Sequence, residues 1–346
     1  MHDRERMKAS LRCLIATALI AAPILGAVRA SAEGTLRLTG VNIAGAEFGH
    51  NKMPGRHGTD YFYPSRTTID YFVSKGLTTL RVPFRWERLQ PALGGGLDQA
   101  ELKLLDDLVS YATSKGANVI LDVHNYAAYN KMPIGAPEVS PGALADLWKR
   151  IAERYGKNDK IIFGLMNEPK GLPTETWLTA ANAAIAAIRG TGARNLILVP
   201  GNGWTGAHSW LSRGYGTPNA EVMLGVIDSA NNFAYEAHQY LDADFSGTKP
   251  QCRNEQIGVK ALTAFTNWLK QHGKRGFLGE FGGGSDPVCL AALDGMLEFM
   301  AQNRDVWLGW TYWAAGPWPN NYFTSVQPNG GVDRPQMLVL LKHVAP

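Results

Sequence analysis

The chain has only three cysteines in 346 residues, and charged residues make up just 18% of it. So few cysteines exclude a small disulfide-built scaffold, and a chain of this length needs none, because it can bury a large core. Beyond the first residues there is no run of Lys and Arg, so the clustered basic face that a nucleic acid partner requires is missing. No Ser/Pro/Thr-rich linker, internal repeat or low-complexity tract interrupts the chain, which reads as one domain. No glycine-rich dinucleotide fingerprint follows the first strand-like run, and no His-Glu-x-x-His pair occurs. The one long hydrophobic run, residues 14–28, falls short of the ~20 residues that a membrane span needs.

That run is preceded by Arg4, Arg6, Lys8 and Arg12 and followed by Ala30, Ser31 and Ala32. Basic start, apolar middle and small-residue end are the marks of a secretory signal peptide, so residues 1–32 are read as a leader cleaved before Glu33, and residues 33–346 as the mature domain. Without the leader, 29 Lys and Arg face 28 Asp and Glu, a net +1, and no strong electrostatic partner follows. Cys13 leaves with the leader. The remaining Cys252 and Cys289 most economically form one disulfide in an exported protein, with two free buried thiols as the alternative.

What the chain does contain is alternation. Short runs of Val, Ile, Leu and aromatics at 36–44, 78–84, 118–124, 161–167, 195–200, 233–240, 276–281 and 307–313 read as eight strands. Helical periodicity fills most gaps, at 65–75, 99–115, 141–155, 174–189, 255–272, 287–303 and 336–343, whereas 201–232 has loop composition. Eight strands with helices between them in ~310 residues predict a single-domain α/β fold, the (β/α)8 barrel. A doubly wound open sheet is the alternative.

Active sites of such barrels lie at the C-terminal ends of the strands, where this sequence concentrates its polar side chains. Arg81 lies on the second strand; Asp122, His124 and Asn125 close the third; Asn167 and Glu168 close the fourth, in "IIFGLMNEP". His238 and Tyr240 end the sixth strand, Glu280 the seventh and Trp313 the eighth. Glu168 and Glu280 are the pair to explain, because glycosidic bond cleavage uses two carboxyls, one to protonate the leaving oxygen and one to attack or to activate water. Asp122 points the same way as His124 but deeper, which suits a structural hydrogen bond. Pro169 should hold Glu168 in an extended conformation.

The stretches "GVNIAGAEFG", "LRVPFRWERLQP", "LDVHNYA", "FGLMNEP", "GNGWTGAHSW", "YEAHQYLDADFSGT", "LGEFG" and "WTYWAAGPW" resemble the glycoside hydrolase family 5 cellulases over essentially the whole mature chain. The resemblance implies a secreted, monomeric, retaining endo-β-1,4-glucanase that needs no cofactor and no metal. It implies Glu168 as general acid/base and Glu280 as nucleophile, with Arg81 and Tyr240 keeping Glu280 ionised. It also implies Asn167 on the sugar 2-hydroxyl, His124 and His238 on sugar hydroxyls or the carboxylates, and Trp313, followed by a cis peptide, under the sugar. Trp204 and Trp318 match further sugar platforms, and Cys252 and Cys289 match a disulfide of the family; Trp86 and Trp210 are as compatible with packing as with binding. A β-1,4-mannanase or mixed-linkage glucanase would share the catalytic pair. From other classes, a non-catalytic sugar binder would keep the cleft, and a metal-dependent barrel could use Asp122, His124, Glu168, His238 and Glu280 as ligands.

Overall fold

The computed structural model describes residues 35–319 and 321–344, all within one compact unit, and the expected leader lies outside them. Its eight parallel strands are β1 (Leu38–Ile43), β2 (Thr79–Phe84), β3 (Asn118–Val123), β4 (Ile161–Gly164), β5 (Ile197–Pro200), β6 (Phe233–Tyr240), β7 (Gly276–Gly282) and β8 (Trp307–Ala315). They close into a barrel in chain order, β8 pairing with β1. The helices between them are α1 (Arg66–Ser74), α2 (Gln99–Ser114), α3 (Pro141–Tyr155), α4 (Thr174–Gly190), α5 (Ile257–Gln271) and α6 (Pro287–Gln302), with α7 (Pro335–Leu340) after β8. This is the (β/α)8 barrel. Among the described residues no helix is long and apolar enough to cross a membrane.

Local chemistry explains the helix starts. Asp98 accepts from the Glu101 N–H at 2.9 Å, Ser65 from Thr68 at 3.1 Å and Asp286 from Val288 at 3.0 Å, each satisfying an otherwise orphaned donor of a first turn. Pro141 and Pro287 begin α3 and α6, where a missing N–H costs nothing. The segment 201–232, expected to be loop, contains a short helix, Asn219–Val222, continued by a 3-10 turn, Met223–Gly225, and tied down by Asn219, which exchanges hydrogen bonds with the Asn202 backbone at 2.8 and 2.9 Å. A two-stranded ribbon, Ala128–Tyr129 against Met132–Pro133, follows β3 and was not visible in the periodicity.

The period of two along each strand decides what the barrel encloses. On β3, Val119, Leu121 and Val123 pack outward into the main core, while Ile120 joins Ile162, Leu198, Ala234 and Phe277 inside the barrel floor. Two residues on, the inward position is Asp122. On β6 the inward series is Ala234, Glu236, His238 and Tyr240. Apolar side chains therefore fill the lower interior, and the same face turns polar toward the strand C-termini.

Candidate active site

Arg81 is the hub of that polar layer. It is wholly buried, and its guanidinium donates to Asn42 at 2.9 Å, to Glu280 Oε1 at 2.8 Å and to Asn167 Oδ1 at 3.0 Å. It also lies 3.2 Å from Asp122 and 3.1 Å from Glu236. Burial works against its charge, but three carboxylates outweigh burial and hold its pKa above the ordinary value. Asn42 is fixed in turn by donating to the carbonyls of Gly279 and Thr311, at 2.8 and 3.0 Å.

Glu280 reaches this layer only because β7 is irregular. Phe277 points inward and Leu278 outward, so strict alternation would send residue 280 outward. The pairing with β6 shifts there: Ala237 faces Leu278, and the next residue, His238, faces Glu280. Gly279 is the extra residue, and the shift turns Glu280 inward while Phe281 stays in the outer core. Only glycine fits at 279, since a Cβ would lie 2.0 Å from Glu236 Oε1. Glu280 Oε2 then accepts from the Tyr240 hydroxyl at 3.0 Å.

Glu168 arrives differently. β4 ends at Gly164, three residues earlier than its apolar run suggested; beyond it Leu165 and Asn167 each donate one bond, to Leu198 and Val123, as the chain leaves the sheet. The expectation of an extended Glu168 is overturned, because its φ is +44°. The preference set by Pro169 is local and worth little against the contacts that seat this turn: Trp204 N–H to the Pro169 carbonyl at 3.1 Å, and Tyr126 N–H to the Asn167 carbonyl at 3.0 Å. The half-buried Glu168 side chain thereby places Oε1 2.9 Å from His238 Nδ1.

His238 lies among carboxylates, with Nε2 3.4 Å from Glu236 and Nδ1 3.6 Å from Glu280 Oε2. Burial lowers its pKa, yet Glu280, Glu168 and Glu236 together raise it to about 10, so the ring carries a positive charge at neutral pH. Glu236 is held below the ordinary carboxylate range: burial opposes this, but Arg81 and His238 prevail. His124 differs. Burial pushes its pKa down to about 3, Nδ1 rests 2.8 Å from Asp122, and the neutral ring stacks on Trp313 at 5.6 Å. Burial raises Asp122 to about 7 despite Arg81.

One donor atom each from Glu168, His238 and Glu280 lies within 4.8 Å of the others, the one cluster among the described residues that could hold a metal ion. Asp122 and His124 bond each other and stay out of it. The cluster suits a proton better than a cation, because the Arg81 guanidinium already neutralises Glu280 at 2.8 Å and a divalent ion would face that buried charge.

A cleft of about 990 Å³ is lined by Glu47, Phe48, His124, Tyr126, Trp204, Trp313 and Trp318 among others, and Tyr126 on its wall feels the charges of Glu168 and Glu280. Trp313 precedes a cis peptide to Ala314 and donates Nε1 to the Tyr322 hydroxyl at 2.9 Å. Tyr322 stacks on Trp318 at 4.2 Å, and Phe48 meets Trp318 edge-on at 4.6 Å. Across the cleft Trp204 is 42% exposed, with Lys170 Nζ 5.1 Å over its ring. Of the ten site residues singled out in the sequence, Arg81, Asn167, Glu168, His238, Tyr240 and Glu280 are tied together by their mutual contacts, while His124, Trp204, Trp313 and Trp318 line this cleft. Trp86 and Trp210 are fully buried in the core and play no part in it.

Sequence reading passed over Asn42, Glu47, Tyr126, Glu236 and Tyr322. Glu236 had a signal, since it stands two residues before His238 and four before Tyr240 on one inward face. Glu47 and Tyr322 lie in loops, which carry no periodicity.

Cys252 and Cys289 are joined, with Cα atoms 5.1 Å apart, linking the loop after β6 to the first turn of α6. The bond spans 37 residues. Closing a loop of that length contributes about 2–4 kcal/mol. The double variant Cys252→Ala/Cys289→Ala should lose that much in urea unfolding while keeping the barrel's circular dichroism; an unchanged midpoint would contradict it.

Residues 41–316 match the family model described as Cellulase (glycosyl hydrolase family 5). The endo-beta-1,4-glucanase B of Aspergillus niger is 40% identical over 304 residues, 88% of each chain. The crystal structure of an endo-beta-1,4-glucanase from Xanthomonas axonopodis pv. citri is 48% identical, with a TM-score of 0.88 over 89% of this chain and 98% of that one. A structure named XacCel5A in complex with cellopentaose is 51% identical, with a TM-score of 0.88 over 89% of this chain and 99% of its own.

Proposed function

This chain belongs to the cellulases of glycosyl hydrolase family 5 and is a glycoside hydrolase, and from that premise we propose that it is a retaining endo-β-1,4-glucanase. The observation that carries the reading is the close approach of Glu168 and Glu280, one carboxylate oxygen of each lying within 4.8 Å of the other. Retaining pairs stand about 5–5.5 Å apart, whereas inverting pairs stand about 6.5–9.5 Å apart to admit a water.

The roles follow from the partners. Glu280, neutralised by Arg81 and hydrogen-bonded by Tyr240, is the carboxylate that attacks C1. As the C1–Glu280 bond forms, the bond from C1 to the bridging oxygen breaks, and Glu168 delivers its proton to that oxygen. His238 occupies Glu168 Oε1, which leaves Oε2 to face the bridging oxygen. Water then attacks C1 and gives its proton to Glu168, and Glu280 departs as carboxylate. Asn167, its Oδ1 held by Arg81, can offer its amide N–H to the sugar 2-hydroxyl. Trp313, Trp318 and Trp204 serve as platforms along a β-1,4-glucan, the ligand class of the cellopentaose complex. The leader at residues 1–32 would export residues 33–346 as a monomeric domain, and the chemistry calls for no cofactor.

Proton NMR of the first product decides between the two stereochemical courses. β-Configured reducing ends should appear first and mutarotate to the α form; initial α product would refute a retaining mechanism. On the sugar itself, turnover on carboxymethylcellulose should exceed that on mannan, and the reverse order would move the assignment to a mannanase.

A further inference from the structure

The mechanism leaves the buried carboxyl of Glu47, in the cleft, without a task. Glu47 follows β1 in a tight turn fixed by Phe48 N–H to the Gly45 carbonyl at 3.2 Å and Phe62 N–H to the same carbonyl at 3.0 Å. Its Oε2 accepts from the Gly45 N–H at 2.7 Å, and the residue is only 8% exposed, yet it lines the cleft. Its carboxyl is held by backbone N–H groups, those of Gly45 and of Glu47 itself, rather than by a side-chain cation. A carboxyl anchored to backbone N–H and lining a sugar-sized space together with Trp313 and Trp318 is built to meet a ligand.

We propose that Glu47 is a substrate-binding residue that works as a neutral acid, its carboxyl O–H donating a hydrogen bond to a glucosyl hydroxyl on the β1/β8 side of the cleft, opposite Trp204. This rests on the β-glucan reading of the cleft. Burial first, then the Asp122 and Glu280 charges, push the Glu47 pKa from 4.5 to about 8. The titratable groups facing it are Asp122 on β3, Glu280 on β7, and the Tyr126 and Tyr322 hydroxyls on the loops after β3 and β8. The nearby cations are engaged elsewhere: Arg88 Nη1 donates to the Ala46 carbonyl at 2.6 Å and Arg85 Nη1 to the His124 carbonyl at 2.6 Å. Below pH 8 the acid both accepts from Gly45 and donates to the sugar; above it the donor is lost and a charge is added beside Glu280.

The test is calorimetric binding of cellotetraose to the Glu168→Gln protein, whose turnover is slowed at least about a hundredfold, at pH 6 and pH 9. Affinity should fall about tenfold across that range, the size of one lost hydrogen bond. Glu47→Gln, whose amide can accept from Gly45 and donate to the sugar, should bind within about threefold of its parent at pH 6 and show no fall by pH 9. Glu47→Ala should bind about tenfold more weakly at pH 6, also without the fall. If both Glu47 variants match the parent at both pH values, this inference fails and the proposed function stands. If the parent itself does not bind cellotetraose, the proposed function fails and this inference with it.

Discussion

Glu280→Gln should abolish turnover on soluble glucan and on aryl cellobiosides alike, a loss on the order of 10⁴-fold or more, because an amide cannot form the bond to C1 on which both steps depend. Glu168→Gln should behave differently. On glucan, whose leaving alkoxide needs a proton, it should lose on the order of 10²–10⁴-fold in kcat. On an aryl glycoside whose phenolate leaves unaided, the first step should persist, the enzyme should accumulate as glycosyl ester, and azide should restore turnover by replacing base-activated water. The two variants thus separate the roles that the surroundings suggest: Glu280 between Arg81 and Tyr240, Glu168 against His238. If azide rescues Glu280→Gln instead, with a product of inverted configuration, the assignments are exchanged. If either variant keeps near-native rates on glucan, the mechanism fails. Both substitutions are isosteric, so circular dichroism and the urea midpoint should change little.

Arg81→Ala should be the most destabilising single substitution near the site, at about 3–5 kcal/mol, because removing one partner leaves buried charges uncompensated. Asp122, Glu236 and Glu280 are at most 4% exposed, and all three lean on this one guanidinium. Arg81→Lys keeps a positive charge but not the planar fork that reaches Asn42, Asn167 and three carboxylates at once. It should fold, with kcat reduced at least about a hundredfold, since Glu280 would lose both its orientation and part of its neutralising field. Urea midpoints for both variants and kcat for the lysine variant provide the check. An unchanged midpoint in Arg81→Ala would mean that the carboxylates do not depend on it.

Much of this site was legible because barrel strands are short and their ends are chemically distinct from their middles. Arg81, His124, His238 and Trp313 interrupt apolar runs in ways that a core strand has no reason to tolerate, and all but Arg81, which sits mid-strand, stand at or near the C-terminal end of theirs. Trp86 and Trp210 show the limit of that approach. Their side chains are as suitable for sugar stacking as that of Trp204, and only packing against Tyr129, Tyr235 and Phe265 distinguishes them. Glu236 was hidden for the opposite reason, lying deep within a strand already explained by its neighbours.

By itself the sequence determined the eightfold alternation of strand and helix, and with it the end of the barrel at which Glu168 and Glu280 emerge, because periodicity, caps and strand termini are local properties of the chain. The tertiary structure decided how those side chains meet. The extra residue at Gly279 turns Glu280 inward against strict alternation, and it must be glycine because Glu236 occupies the space a Cβ would need. Glu168 takes a positive φ despite the proline after it, because bonds from Trp204 and Tyr126 hold its turn. Glu47 resists ionisation because burial and distant carboxylates act on it from other strands. Register, backbone strain and proton affinity are set by partners tens to hundreds of residues away, and those partners exist only once the barrel has closed.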